Sequence, residues 1–166
     1  APAKAAWRPY VLRGLATILN DVQRPYGLRL RMVHILVVSR EPTVAILFRR
    51  LLGSEAPSSR ILGALGLGGL RDEEAVELLT QMVEHDSELL CRQAACLALA
   101  AIGTQPALEG LGHALLKGDE GVRLAAGEAL ACHPDEGYNM LKDALELDNM
   151  LTRRAAVFGL GRVPEP

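Results

Sequence analysis

The stretch 89-LLCRQAACLALAAIG-103 decides the fold. Arginine at 92 is followed by small residues at 94, 95 and 98, by leucine at 99 and by a closing glycine at 103. The apolar positions recur at helical spacing, with none of the alternation of a half-buried strand, so the stretch reads as an apolar helix closed by a glycine cap.

Four other stretches follow the same pattern: YGLRLRMVHIL (26–36), APSSRILGALGLGGL (56–70), EGVRLAAGEALACH (120–133) and MLTRRAAVFGLGRV (150–163). Their alignment superimposes Arg29, Arg60, Arg92, Arg123 and Arg153, one arginine every 30 to 32 residues. Seven residues after each stands a leucine: Leu36, Leu67, Leu99, Leu130 and Leu160. Three residues after each stands a mostly small residue, at Met32, Gly63, Ala95, Ala126 and Ala156. Between these segments lie second amphipathic stretches, TVAILFRRLL, EAVELLTQMVEH, ALEGLGHALLK and GYNMLKDALEL, with PYVLRGLATILN as a forerunner. Pro42, Pro106, Pro134 and the runs RDEE and PDEG fall where a first helix must stop and a second begin. A pair of short helices cannot bury its own apolar face, but pairs stacked side by side share one core. The prediction is an all-α fold, a right-handed α-solenoid of about five helical hairpins. It forms one array over 1–166, with units near 8–21, 24–54, 57–86, 88–118, 119–148 and 149–163.

The arginine, the small residues, the leucine and the following apolar helix resemble HEAT-like repeats of the phycobilin-lyase type, over nearly all of residues 8–163. The resemblance implies a solenoid related to pigment-attachment factors, to a di-iron hydroxylase and to many interaction scaffolds. The di-iron branch implies His-Glu pairs directly after the repeat arginine. Those columns read Leu30-Arg31, Ile61-Leu62, Gln93-Ala94, Leu124-Ala125 and Arg154-Ala155, so that activity is not expected.

The glycine-rich run GALGLGGL (63–70) bears on nucleotide binding. Gly63, Gly66 and Gly68 align with alanines and glycines of the other repeats, at Ala95, Ala98 and Ala100 for example. A phosphate loop needs its glycines after a strand and ahead of a helix N-terminus, a context this run lacks. They read as small-residue packing positions. Because each mid-helix glycine costs about 1 kcal/mol relative to alanine, residues 60–70 are expected to be the softest part of the stack.

No cofactor, metal ligand or catalytic residue is assigned. His34, His85, His113 and His133 occupy unrelated repeat positions, and EHD (84–86) reads as a charged helix end. Cys132 and His133 are neighbours whose side chains point about 100° apart on a helix. Cys91, Cys96 and Cys132 lack metal-ligand spacing, lie in apolar helical patterns and read as reduced core thiols, which fits an intracellular, cytoplasmic protein. No charged-then-apolar leader opens the chain, and the apolar runs MVHILVV and LALAAIG fall far short of the roughly 18 residues of a membrane span.

Net charge is −2, against a dedicated nucleic-acid binder. Its distribution is uneven. Residues 1–55 hold nine Lys or Arg and three Asp or Glu (+6), and residues 56–166 hold nine and seventeen (−8). A basic patch in the first third, from Arg24, Arg29, Arg31, Arg49 and Arg50, is the one feature that fits phosphate tracking. It is outweighed by the acidic remainder and the scarcity of aromatics.

The repeated arginines Arg29, Arg60, Arg92, Arg123 and Arg153 read as a structural ladder that binds turn carbonyls or carboxylates. Asp86, Glu88, Asp119, Glu120 and Asp148 stand just upstream of the later ones. A second pair of columns points to a partner. Positions one and five after each arginine lie at about 100° and 140° around the helix, opposite the core, and should be polar. They carry Leu30 and His34, Ile61 and Leu65, Gln93 and Leu97, Leu124 and Glu128, and Arg154 and Phe158. An aliphatic row there marks a partner surface.

The functional expectation is a non-catalytic protein-binding scaffold, a HEAT-like segment of a larger, bacterial regulatory protein. Its partner is another protein or another domain of the parent chain, with nucleic acid disfavoured and no membrane. The alternative is an accessory subunit of a lyase-type enzyme that handles a bilin or other prosthetic group. The array starts without Met and ends after a first-type helix, so Val157, Phe158 and Leu160 are expected to lie partly uncovered and to support weak self-association.

Overall fold

The structure, a computed structural model, describes residues 8–162. These form ten α-helices and no strand: α1 (Arg8–Asn20), α2 (Tyr26–Ser39), α3 (Pro42–Leu52), α4 (Pro57–Leu70), α5 (Val76–His85), α6 (Leu89–Ile102), α7 (Gln105–Lys117), α8 (Glu120–Ala131), α9 (Glu136–Leu145) and α10 (Met150–Leu160). A short 3-10 turn, Glu73–Ala75, leads into α5. The arrangement is an all-α solenoid.

Helix ends follow their local chemistry. Pro42 and Pro57 open α3 and α4 at positions where a backbone N–H has no intrahelical partner to lose. Asp119 and Asn149 cap α8 and α10 by accepting from the N–H of Val122 and Thr152, at 3.0 Å each. Three first helices end on a left-handed residue: Gly103 after α6, but Arg40 (φ 53°) after α2 and Arg71 (φ 52°) after α4. For a residue with a Cβ that conformation costs about 1 kcal/mol.

The arginine-bearing helices α2, α4, α6, α8 and α10 stack in sequence order as one layer. The intervening helices form the other, and each of α3, α5, α7 and α9 packs more closely on the first helix that follows it than on the one before. Leu36, Leu67, Leu99 and Leu130 are buried in the shared core, and Leu160 is partly buried against it.

Small residues set how closely the layers approach. A Cβ on Gly63 would stand 2.8 Å from Phe48 O, one on Gly66 2.6 Å from the Phe48 ring, and one on Gly68 2.9 Å from Ala98 Cα. Gly63 and Gly66 thus seat α3 on α4, and Gly68 lets the α6 backbone close on α4. The run 63–70 lies within a single helix, away from any helix N-terminus. The same device joins α8 to α10, where a Cβ on Gly127 would meet Ala155 O and one on Gly159 would meet Gly127 O.

Candidate interaction surface

The arginine columns give the stack its polar spine. Arg29, 1% exposed, donates to Leu19 O (2.8 Å), Ser58 Oγ (3.0 Å) and Ser59 Oγ (2.6 Å). Arg60 forks onto both carboxylate oxygens of Asp86 (2.7 and 2.8 Å) and also reaches the carbonyls of Ser54 and Glu55. Arg92 donates to Val83 O (2.8 Å) and Asp119 Oδ2 (2.6 Å). Arg123 donates to Gly118 O (2.6 Å), Leu115 O (3.1 Å) and Thr152 Oγ1.

Each guanidinium therefore ties the carboxyl end of one second helix to the opening of the next first helix. Cations at helix carboxyl ends are favoured by the helix dipole as well as by the unpaired carbonyls. The acidic partners correct the sequence expectation. Asp86 and Asp119 serve Arg60 and Arg92, the preceding arginines, from the turns that lead into α6 and α8, because stacking places the next helix opening directly on the guanidinium. Glu120 instead pairs with Arg154 (2.7 Å). Arg153, about half exposed, has only Asp148 at 3.9 Å and takes no part in a three-way tie among the described residues.

The Arg60 fork holds the Asp86 carboxyl below its usual range, with the Glu88 N–H assisting, and raises Arg60 in turn. Asp119 is likewise lowered, first by the Val122 N–H and then by Arg92. Burial pushes the Cys96 thiol up to about 12 and raises Cys91. Cys91 and Cys96 are buried, but Cys132, expected in the core, is exposed because it lies past the last turn of α8; all three are free thiols.

The basic patch is dispersed. Arg29 is buried in the spine. Arg49 is neutralised by both oxygens of Asp72 (2.6 Å each) and by Glu74 (2.7 Å), which raise its pKa. Arg24 pairs with Asp21 (3.2 Å), leaving Arg31 and Arg50 exposed without an ion pair among the described residues.

The histidines stand apart. His85 and His113 flank Glu84 at 3.5 and 3.9 Å, His34 is exposed on α2, and His133 follows α8 with Nδ1 buried and unpartnered. Among the described residues no three His, Cys, Asp or Glu side chains are grouped so as to hold a metal ion.

The outward columns carry apolar surface on α2, α4 and α6. Leu30 and Leu97 are 39% and 45% exposed, Ile61 and Leu65 are half-buried, and His34 is exposed. Leu30, His34 and Leu65 line one groove of about 590 Å³ between α2 and α4, together with Val33, Val37 and Gly69. Farther along the row turns polar. Leu124 is half-buried, Glu128 faces Arg162 at 3.8 Å, and Phe158 lies beneath the Arg162 guanidinium, 5.1 Å from the ring centre. Ile35 and Val38, both exposed, extend the apolar surface beyond the two predicted columns. Their signal was a run of branched residues in columns that are small in the next three repeats. At the last helix Val157 is 61% exposed and Leu160 partly buried.

Stacked helical hairpins tied by a recurring arginine define an α-solenoid repeat protein. The family described as HEAT repeats matches residues 44–131, and the chain belongs to it. No match was found among curated proteins. Among solved structures, human deoxyhypusine hydroxylase in complex with glycerol is similar, with a TM-score of 0.60 and 20% sequence identity over 100% of this chain and 67% of that one. At that identity the likeness is one of fold. Within the described residues no helix is long and apolar enough to cross a membrane.

Proposed function

We propose that the chain is a non-catalytic scaffold whose outward face on α2, α4 and α6 binds another protein or another domain of a parent chain. One observation carries the reading: Leu30, Leu65 and Leu97 place aliphatic side chains, partly open to solvent, on the outer layer formed by three successive arginine-bearing helices, while Ile61 packs against the core. Contiguous apolar surface of this kind is maintained against its solvation cost where a partner covers it. The arginine spine supports the same reading, since its guanidinium groups are occupied in holding repeats together. Buried, reduced Cys91 and Cys96 fit work in the cytoplasm.

The test compares proximity labelling by the wild-type chain and by a Leu65→Glu, Leu97→Glu variant of unchanged thermal stability. Loss of the wild-type partner set from the variant supports the surface. An identical partner set from both retires it.

A further inference from the structure

We infer that the groove between α2 and α4 seats an amphipathic helix of another protein, with carboxylates flanking the apolar face of that helix. This rests on the scaffold reading and adds the site and the chemistry of its occupant.

The groove has a cause in the sequence. Where α4 carries Ala64, Gly66, Gly68 and Gly69, the equivalent positions of α2 carry Val33, Ile35, Val37 and Val38. Gly68 lets α4 close on Ala98 of α6, but Val37 meets Gly69, where an added Cβ would stand 3.1 Å from Cγ1. Branched side chains hold α2 off α4, and α2 packs on α4 less closely than α4 packs on α6. The gap stays open, lined by Leu30, Val33, Val37, Leu65 and Gly69.

The stretch around Leu30 and Leu65 carries charge of one sign. Arg31 and His34 are the charged or titratable groups that line it. Past Val37 and Gly69 the groove continues between the two left-handed caps, Arg40 and Arg71. The carboxylates of that second stretch are largely committed: Glu41 to Arg8, and Asp72 and Glu74 to Arg49, with Glu73 alone unpaired. Arg31, Arg40 and Arg71 have no carboxylate partner among the described residues. A groove with an apolar first stretch, and with three unpaired arginines against the single unpaired carboxylate of Glu73, is complementary to a helix with apolar residues at i, i+3 or i+4, and i+7 and acidic residues beside them. From Leu30 to Arg40 is about 15 Å of helix, room for roughly three turns of a ligand helix.

The probe is a displayed library of helical peptides of about 14 residues, selected against the full chain. Recovered peptides are then titrated by fluorescence anisotropy against three proteins: wild type, Leu65→Glu, and an Arg31→Glu, Arg40→Gly, Arg71→Gly variant. Glycine retains the left-handed caps, and Arg31 is exposed, so the triple variant keeps its fold while losing the charge.

The expected result is a set of acidic amphipathic winners, weakened about tenfold or more by the triple variant and by added salt, abolished by Leu65→Glu, and protecting amides of α2 and α4 from exchange. Winners that are neutral or basic, or that bind the triple variant as tightly as wild type, overturn the inference. So does an empty selection, or a footprint on another helix. If such a result accompanies loss of the wild-type partner set from a Leu97→Glu single variant, the scaffold reading stands and only the groove falls. If the partner set is also indifferent to Leu65→Glu, Leu97→Glu, both fall.

Discussion

Gly66 and Gly14 are both helical glycines, and the structure gives them opposite expected responses to alanine. In α4, the Cβ of Gly66→Ala would stand 2.6 Å from the ring of Phe48, itself fully buried. The gain in helix propensity, about 1 kcal/mol, is outweighed by overpacking of about 1–3 kcal/mol, so Gly66→Ala is expected to lower stability by about 1 kcal/mol. Around Gly14 in α1 an added Cβ would meet nothing within 4 Å, and Gly14→Ala is expected to add about 0.5–1 kcal/mol. Urea unfolding of the two variants checks both signs. If Gly66→Ala is the more stable, the glycine columns are not set by close approach. Column alignment alone makes Gly63, Gly66 and Gly68 legible as packing residues. What it cannot supply is the identity of the neighbour, because Phe48 and Ala98 reach these positions from different helices.

At the scale of the element, the arginine ladder shows where sequence reading stops. Recurrence every 30 to 32 residues is enough to mark Arg60 and Arg92 as structural. Their carboxylate partners are not legible, because Asp86 and Asp119 lie close upstream of the next arginine along the chain and yet pair with the previous one across the stack. Stacking in space, rather than proximity along the chain, decides the partner. The outward row is legible only in part: helical geometry points its columns away from the core, and Leu30 and Leu97 are exposed, but Ile61 and Leu124 pack against the core. Its groove is not legible, since the separation of α2 from α4 depends on side-chain volume at a joint between repeats. The ladder also fixes an acid limit. Asp86 has a folded pKa below its unfolded value, so the unfolded chain binds more protons in that range and stability rises with pH through it. The contribution is complete above the ordinary aspartate value, near 4, and is lost as pH falls through the lower folded value. Asp86→Asn is expected to cost about 2 kcal/mol at pH 7 and to flatten the fall in stability at acid pH. Parallel urea titrations at pH 7 and near pH 3 measure this. An unaltered pH dependence would mean that the Arg60 fork contributes nothing differential to folding.

For the whole molecule, stability in a stack is a sum of local joints, and the weakest joint decides where it opens. Two sequence features compete for that place. The glycines of α4 weaken the helix itself, which by propensity alone makes residues 60–70 the soft segment. Against this, α4 is gripped closely by α3 and α6, and Leu62, Gly63, Ala64, Gly66, Leu67 and Gly68 are all buried. At the joint before it, valines replace the small residues, the helices stand apart, and Arg29 supplies the polar link through Ser58 and Ser59. Packing outweighs propensity in short helices, whose stability comes mainly from the tertiary contacts of their apolar face. Native-state hydrogen exchange is therefore expected to show α2 opening at lower free energy than α4 or α6. Arg29→Met, which keeps the stem and removes the links to Leu19, Ser58 and Ser59, is expected to widen that gap while leaving α8 unchanged. Amides of residues 60–70 exchanging ahead of those in α2 would assign the soft point to the glycines instead. In that case the valines of α2 would not be what holds the groove open, because a joint strong enough to outlast α4 is not one that branched side chains have pried apart.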